Sequence, residues 1–384
     1  MHRRSILVKS LFFTSGLFLA AISSCTQVAN QPSTTPSSEI KIGVLFPMTG
    51  DAASYGEKGK KAIELATAEI NAKGGRKVIP IFEDSRAEPK TGVTAAQKLI
   101  DVDKTPVIIG DVVSSVTLAI APIAEKGQVV VIAPTSSAPA ITNAGKYIYR
   151  VWPSDLVEGT KIAELAAQKG FKNVAILHLN NDYGSSIASI FKKTLETKGG
   201  KVTLNEGYLD KATDFRAVLT KIAGLKPDAI YVAGYFADTA RILKQARELG
   251  IKSQFLGTTA IEDPEFIKLA GNTADGTIYP LATGFDPTTI KTPQVESFVS
   301  TFKQKYGTDP GWVEAHSYDA FMLAYQAASS TKGEVTGTSI QSYLDSSKGY
   351  EGVTGKIVFD SNGDVLKPVV FKTIQKGKFI ALPK

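Results

Sequence analysis

Short apolar segments alternate with helix-like segments along most of this 384-residue chain. The first apolar run is Ile40–Phe46, and after the breaks at Gly50 and Gly56 the segment Lys58–Ala72 carries apolar residues near helical spacing. Strands that alternate with helices form parallel sheets that are covered by helices on both faces. The sequence therefore predicts an α/β fold with doubly wound parallel sheets.

The alternation occurs in two successive groups and restarts after Arg150. In the first group, further elements are predicted at Val78–Phe82, Pro89–Val102, Pro106–Gly110, Val116–Lys126 and Val129–Ala133. In the second group, they are predicted at Leu156–Lys169, Val174–Leu179, Ser185–Lys198, Val202–Tyr208, Phe215–Ala223, Ala229–Ala233, Ala237–Leu249 and Gln254–Gly257. A chain of this length exceeds what one core usually serves, so we expect two domains. Because open α/β sheets bind ligands beyond the carboxyl ends of their strands, a cleft between the two sheets is the expected site.

The last quarter of the chain has a different pattern. Three helices are predicted first, at Pro293–Tyr306, Glu314–Ser329 and Ser339–Ser346. Two strands follow at Gly355–Asp360 and Val369–Ile374, and the Ser-Asn-Gly segment at Ser361–Gly363 is predicted to join them by a turn.

The N-terminus has the layout of a secretory signal. Basic residues at Arg3, Arg4 and Lys9 precede the apolar run Leu11–Ile22, and small residues then lead to Cys25, the only cysteine of the sequence. The apolar run is about a dozen residues long, which is shorter than the ~20 needed to cross a bilayer. This layout resembles the leader of bacterial lipoproteins.

That resemblance implies that residues 1–24 are a signal peptide and that Cys25 is lipidated. Residues 25–39, rich in Ser, Thr and Pro, are then expected to form a flexible tether. The body would work at the periplasmic or extracellular face, anchored to a membrane that it does not enter. The alternatives are an ordinary leader in which Cys25 is incidental, and a short membrane anchor.

Charge and composition argue against a nucleic-acid partner. The formal net charge is +7, and it falls to +4 once the three leader cations are removed. The sequence has no basic stripe with interleaved aromatic residues, the pattern that nucleic-acid binding favours. A single cysteine also excludes a disulfide framework, and 43% hydrophobic residues suffice to build the core without one.

Signatures of metal binding and catalysis are missing from the sequence. The three histidines are His2, His178 and His316, and no His-x-x-x-His, Cys-x-x-Cys, nucleophile-elbow or phosphate-loop motif occurs. We therefore expect no metal, no cofactor and no enzymatic activity. The remaining enzyme alternative is a hydrolase that uses Ser114 or Ser115, with His178 or His316 as its base.

Hydroxyl groups follow two strands of the first group. Ser114 and Ser115 lie at a helix start after strand Pro106–Gly110, where free N–H groups and the helix dipole suit a ligand carboxylate. The alternative is a plain N-cap serine. Ser137 lies in a hydroxyl-rich loop after strand Val129–Ala133, and the alternative there is a polar turn.

A carboxylate and four aromatic residues lie near the predicted cleft. Asp155 is predicted either to cap the next helix or to accept a ligand's amine, and one residue could do both. Tyr183 and Tyr235 end strands of the second group, on the expected rim of the cleft, although a lone tyrosine often only packs. Phe46 and Trp152 would accommodate an apolar or aromatic ligand, unless both belong to the core.

Seven segments together carry a resemblance to a known family. They are Met48–Gly56, Glu69–Gly75, Ile109–Ser115, Pro134–Pro139, Asp182–Gly184, Gly234–Tyr235 and Ala240–Gly250. In this order and spacing, the chain from Ile40 to its end resembles the type I periplasmic binding proteins of ABC transporters, specifically the leucine/isoleucine/valine-binding family. The resemblance implies a monomeric lipoprotein that captures an amino acid or related carboxylate by hinge closure and delivers it to ABC permease subunits.

The resemblance also implies roles for individual residues. Ser114 and Ser137 fall where the family holds the ligand carboxylate, and Asp155 falls where it accepts the ammonium group. Tyr183 and Tyr235 fall on the wall that closes over the ligand. Tyr55 falls at the mouth of the pocket.

One position departs from the family pattern. Thr259 stands where amino-acid binders often carry a glutamate for the ammonium group. An ammonium group in a closed cleft needs a charged partner or several acceptors. Either Asp155 suffices or one acid substitutes, the candidates being Glu262, Asp263 and Asp238; otherwise the ligand is not a plain amino acid.

The resemblance further implies three crossings between two lobes, near Ser154, Ala282 and Gly349. Lobe one would contain residues 40–154 and 283–348, and lobe two residues 155–282 and 349–384. An alternative function with the same fold is a ligand-sensing domain that reports to a membrane signalling protein.

Overall fold

The computed structural model describes residues 39–50, 52–281 and 284–383. The predicted signal peptide, the lipidation at Cys25 and nearly all of the predicted tether lie outside these residues, as does the predicted crossing at Ala282. Within the described part of the chain, no helix combines the length and apolar character that a membrane span requires.

The strands within these residues are β1 (Glu39–Phe46), β2 (Lys77–Asp84), β3 (Val107–Gly110), β4 (Val130–Ala133), β5 (Ile148–Arg150), β6 (Asn173–Leu179), β7 (Lys201–Tyr208), β8 (Ala229–Ala233), β9 (Gln254–Leu256), β10 (Ile278–Leu281), β11 (Tyr350–Gly352), β12 (Gly355–Ile357), β13 (Val370–Gln375) and β14 (Lys378–Ala381). The α-helices are α1 (Ala53–Ala72), α2 (Pro89–Asp101), α3 (Ser114–Gly127), α4 (Asp155–Gln168), α5 (Asp182–Thr197), α6 (Arg216–Leu225), α7 (Phe236–Glu248), α8 (Pro264–Ala270), α9 (Pro293–Tyr306), α10 (Trp312–Ser330) and α11 (Gly337–Ser346). Short 3₁₀ turns occur at Pro139–Asn143, Thr259–Ile261 and Gly271–Ala274.

The first sheet is parallel and has the strand order β2-β1-β3-β4-β5. Strands β3 and β4 are buried along their whole length, because helices cover both faces. Helices α1 and α10 pack together on one face, and α2 and α3 pack on the other. The register aligns Phe46 with Asp84 and Leu45 with Gly110, so the carboxyl ends of these strands meet at one edge.

The second sheet has the order β14-β13-β10-β9-β8-β6-β7. Its five strands from β6 to β10 are parallel, and β13 and β14 add antiparallel pairs at one edge. Helices α4 and α5 cover one face, whereas α6, α7 and α8 cover the other. The predicted α/β fold with two doubly wound sheets is therefore confirmed.

Strands β5, β10, β11 and β14 were not among the predicted elements, because each is only three or four residues long. The predicted pairing across Ser361–Gly363 is also wrong. Strand β12 pairs instead with β11, with Gly352 opposite Gly355, and β13 pairs with β10 and β14. The turn itself forms, since the Gly363 N–H donates to the Asp360 carbonyl at 3.1 Å.

The sequence predicts that the chain enters the second lobe near Gly349, yet the following residues pack on the first sheet. Val353 and Ile357 are buried in the same core as β1. The Asp319 carboxylate on α10 accepts a hydrogen bond from the Val353 N–H at 2.9 Å. The boundary at 349 is therefore wrong, and the chain joins the second sheet only at β13, which begins at Val370.

Candidate functional site

A cavity lies where the carboxyl ends of strands from both sheets face each other. Elements of the first sheet contribute Tyr55, Ser114, Thr135, Ser137, Trp152 and Trp312, and elements of the second contribute Glu158, Tyr183, Tyr235, Thr259 and Ala260. The cavity has a volume of about 40 Å³ on the measure by which one water needs about 10–15 Å³. The cavity therefore suits one small solute.

Ser114 begins helix α3 and shapes the neighbouring loop. Its Oγ accepts hydrogen bonds from the N–H groups of Ser137 at 3.1 Å and Ala138 at 3.2 Å. Val113 occupies the N-cap position, so the alternative of a plain N-cap serine is wrong. Since the Ser114 oxygen serves as an acceptor, its own proton remains to be donated into the cavity. Ser114 and Ser137 thus lie together beside a helix N-terminus, an arrangement that favours an anion.

Asp155 begins helix α4, and the residue before it is the cap. The Ser154 Oγ accepts from the Leu156 N–H at 3.4 Å, so the prediction that Asp155 caps the helix is wrong. The Asp155 side chain is buried, and neither carboxylate oxygen has a hydrogen-bond partner among the described residues. Burial raises its pKa well above the usual value, and the nearby Glu158 carboxylate adds to that rise. The Ser137 hydroxyl lies close enough to lower the pKa of Asp155, but it does not reach hydrogen-bonding geometry.

Glu158 is a cavity residue that the sequence reasoning missed. It lies one helical turn after Asp155 on α4, and its side chain is buried. Its two oxygens accept from the Thr259 N–H at 2.9 Å and the Thr259 Oγ1 at 2.8 Å. Burial raises the pKa of Glu158 to about 7. The available signal was its i+3 spacing from Asp155, which places both acids on one face of the helix.

Aromatic rings link the two sheets around the cavity. The Tyr183 and Tyr235 rings stack at 5.7 Å with an interplanar angle of 11°. Tyr55 from α1 contacts Tyr235 at 5.7 Å and Trp312 at 6.1 Å, and Trp312 contacts Trp152 at 4.8 Å. These rings form a largely apolar wall that can exclude water from a ligand.

Tyr55 reaches the cavity because its neighbour is glycine. A Cβ atom on Gly56 would lie only 2.0 Å from the Pro47 carbonyl oxygen, so a side chain there would push α1 away from the end of β1. The close approach lets the Tyr55 hydroxyl donate to the Ala260 carbonyl of the second sheet at 3.2 Å.

Several predicted residues do not line this cavity. Ser115 faces an adjoining groove, and Phe46 is buried in the core of the first sheet. Asp238 pairs with Arg241 at 3.3 Å, and Glu262 binds Lys372 and Tyr279.

Asp263 is also placed outside the cavity wall, where it pairs with Lys58 and caps α8. The three acids proposed as substitutes at the Thr259 position therefore lie elsewhere. Trp152 does line the cavity, as do Tyr55, Ser114, Ser137, Tyr183, Tyr235 and Thr259. Asp155 is buried next to Ser137 but is not among the lining residues.

The geometry does not support a hydrolase. Among the described cavity-lining residues there is no histidine. His316 packs against Trp152 at 4.8 Å, its Nδ1 lies 2.8 Å from the Trp312 carbonyl, and burial lowers its pKa to about 3. Within the described part of the chain, no group of three potential ligands for a metal is found either.

Comparisons with known proteins find similar chains. Residues 39–378 match the family model of periplasmic binding proteins. A leucine-, isoleucine-, valine-, threonine- and alanine-binding protein of Pseudomonas aeruginosa is 29% identical over 331 residues, which cover 85% of this chain and 87% of that protein.

Solved structures show the same similarity. The leucine-binding protein LivK from Thermotoga maritima has a TM-score of 0.83 and 31% identity, covering 90% of this chain and 98% of that one. A second structure is LivJ from Streptococcus pneumoniae, a branched-chain amino acid transporter substrate-binding protein solved with isoleucine. It has a TM-score of 0.83 and 29% identity, and the match covers 89% of this chain and 98% of that one. The type I fold predicted by resemblance is thereby confirmed. Because the family match spans residues 39–378, this chain belongs to the periplasmic binding protein family.

Proposed function

We propose that this protein is the extracytoplasmic solute-binding component of an ABC importer and that its ligand is an apolar α-amino acid. The observation that carries the proposal is that hydroxyl groups lining the cavity lie next to a buried acid. Ser114 and Ser137 line the cavity beside the N-terminus of α3 and suit a carboxylate. Asp155 is buried beside them and suits an ammonium group. The Asp155 N–H donates to the Ser137 carbonyl at 2.8 Å, so these groups are immediate neighbours. An α-amino acid carries both charges on adjacent atoms and matches this arrangement.

We propose that the protein binds its ligand reversibly and does not change it chemically. We assign residues of the first sheet to a lobe that receives the carboxylate, and residues of the second sheet to a lobe that closes over the ligand with Tyr183 and Tyr235. Excluding water strengthens each charge-assisted hydrogen bond. The ligand favours the closed form only through its higher affinity for that form. The closed form would then dock, as a monomer, on the permease subunits in the membrane.

The names of the relatives support this assignment, since they bind leucine, isoleucine or valine. They do not favour the alternative of a sensor domain. We further propose that a lipid on Cys25 anchors the protein at the outer face of a membrane, with residues 25–39 as its tether.

The test is a calorimetric titration of the purified protein with L-leucine, L-isoleucine, L-valine and benzoic acid. We expect at least one of the amino acids to bind and benzoic acid, which lacks an amine, to bind far more weakly. Binding of benzoic acid alone would instead assign the protein to aromatic carboxylates.

A further inference from the structure

We propose that Glu158, positioned by Thr259, is a second and separate acceptor for the ligand's ammonium group. This inference rests on the proposed function, because it requires a ligand that carries an amine. It adds a residue from helix α4 to the site and gives Thr259 a positioning role instead of a contact with the ligand.

The first argument is the charge balance of the cavity. Glu158 lines it, Asp155 is buried one turn earlier on the same helix, and no lysine or arginine is among the described lining residues. Burying carboxylates without a cation is costly, because each loses its hydration and repels the other. A ligand that brings a positive charge offsets this cost.

The second argument is that the nearest cation is already engaged. Arg150 is completely buried, and its Nε and Nη2 donate to the two Asp364 oxygens at 2.7 and 2.8 Å. Nη1 donates to the carbonyls of Ser137 and Ala138, and Nη2 also donates to Thr142. All five N–H groups of the guanidinium therefore have acceptors, and none remains for the acids of α4.

The third argument is the way in which Glu158 is held. One oxygen accepts from the Thr259 N–H at 2.9 Å and the other lies 2.8 Å from Thr259 Oγ1. The Thr259 Oγ1 also lies 3.0 Å from the Pro280 carbonyl of β10. The carboxylate is thus fixed to the second sheet, and each oxygen keeps a lone pair for another donor. An ammonium group has three N–H donors, enough for Asp155, Glu158 and one further acceptor.

Thr259 Oγ1 has one proton but two acceptors within reach. When Glu158 is protonated, its own O–H can donate to Thr259 Oγ1, which then donates to Pro280. When Glu158 is ionised, Thr259 donates to the carboxylate. An arriving ammonium group selects the ionised form, so the proton leaves Glu158 for solvent as the N–H···O bond forms.

Three acidic groups near Glu158, and one cation near Asp155, affect this titration. Asp155 on the same helix carries a like charge and opposes ionisation. Tyr183 on α5 and Tyr231 on β8 interact with Glu158, and burial raises both of their pKa values, so they remain neutral near pH 7. The positive charge of Arg150 on β5 stabilises the ionised form of Asp155 and so lowers its pKa.

The experiment compares L-leucine with 4-methylpentanoic acid, which is leucine without its amine. Calorimetry at pH 7 measures both affinities for the wild type and for Glu158→Gln. We expect the preference for leucine to fall at least tenfold in Glu158→Gln, with little change in the affinity for 4-methylpentanoic acid. General damage to the cavity would weaken both ligands alike. The matched control is Glu164→Gln on the outer side of α4, which should keep the wild-type preference.

Two further readouts keep the inference testable. Titrations of leucine in phosphate and Tris buffers count released protons, and the count should decrease in Glu158→Gln. Thr259→Val should lower the preference for leucine, and Thr259→Ser, which keeps the hydroxyl, should restore it. An unchanged preference in Glu158→Gln would overturn the role of Glu158 while leaving amino-acid binding intact. A wild type that binds none of the amino acids would overturn the proposed function itself, and this inference with it.

Discussion

Lys58 and Asp263 form an ion pair that ties helix α1 of the first sheet to the loop after β9 of the second. The Asp263 side chain is only 2% exposed. Two neighbours in that loop make similar links, since the Ala260 carbonyl accepts from Tyr55 at 3.2 Å and the Glu262 carbonyl accepts from Trp312 Nε1 at 3.1 Å. The loop at 260–263 is therefore held from the first sheet by three contacts.

If the two sheets separate when the ligand leaves, this ion pair has to break. We predict that Lys58→Met speeds ligand dissociation by roughly tenfold, because removal of one partner of a buried pair mainly raises the off-rate. Stopped-flow measurement of leucine release checks this. Lys60→Met on the exposed side of the same helix should leave the rate unchanged. Equal rates in Lys58→Met and the wild type would contradict the role of this contact.

Asp155 is expected to be the nearest charged partner of the ligand amine. Asp155→Ala should weaken binding of an amino acid by more than tenfold, which is about 1.4 kcal/mol or more. Calorimetry with L-leucine measures the change, and circular dichroism verifies that the variant is folded. An affinity equal to that of the wild type would mean that no ammonium group binds beside Asp155.

Glu158 should make the stability of the protein without ligand fall as the pH rises. Its pKa is raised by burial from 4.5 to about 7, so between these values the folded state holds a proton that the unfolded state has lost. The free energy of unfolding contributed by this group is therefore greatest below pH 4.5 and decreases until about pH 7. Glu158→Gln removes this contribution.

Urea unfolding at pH 5 and pH 8 tests that sign. The stability of Glu158→Gln relative to the wild type should be higher at pH 8 than at pH 5, and Glu164→Gln should show no such trend. Leucine affinity should change in the opposite direction, increasing from pH 6 to pH 8 as Glu158 ionises. A relative stability that is independent of pH would show that Glu158 is ionised throughout this range.

The buried pair of Arg150 and Asp364 is expected to contribute more to stability than an exposed ion pair. Arg150→Met leaves the Asp364 carboxylate largely buried without its partner and should cost about 3–5 kcal/mol in the free energy of unfolding. Arg216→Met, which breaks an exposed pair with Glu248, should cost less than about 1 kcal/mol. Similar losses in both variants by chemical denaturation would contradict this difference.

The predicted lipid on Cys25 is testable in cells. Cys25→Ser should move the protein from the membrane fraction to the soluble fraction, because the cysteine thiol is the expected site of acylation. Fractionation followed by immunoblotting measures this. A variant that stays with membranes would mean that another segment provides the anchor.

Much of the site could be predicted from the sequence, because polar and aromatic residues occur where the predicted strands end. Ser114, Ser137, Tyr183 and Tyr235 were identified because the carboxyl ends of parallel strands share one edge, so loops that follow them must converge. Glu158 was missed because its position at the cavity depends on Thr259, which lies 101 residues further along the chain. The i+3 spacing places Glu158 on the same helix face as Asp155, but it does not reveal the contact with Thr259.

The residue pattern alone was enough to establish the fold class, the order of the longer helices and strands, and the family, since all of these depend on local periodicity and on segments that recur in a set order. Tertiary structure decided which strands pair, where residues 350–365 pack and which acid lines the cavity. Those outcomes depend on burial and on partners far apart in the chain. Only the folded structure shows whether a buried acid has a cation beside it. Glu262 pairs with Lys372, whereas Glu158 lies in a cavity that has no lysine or arginine among its described lining residues.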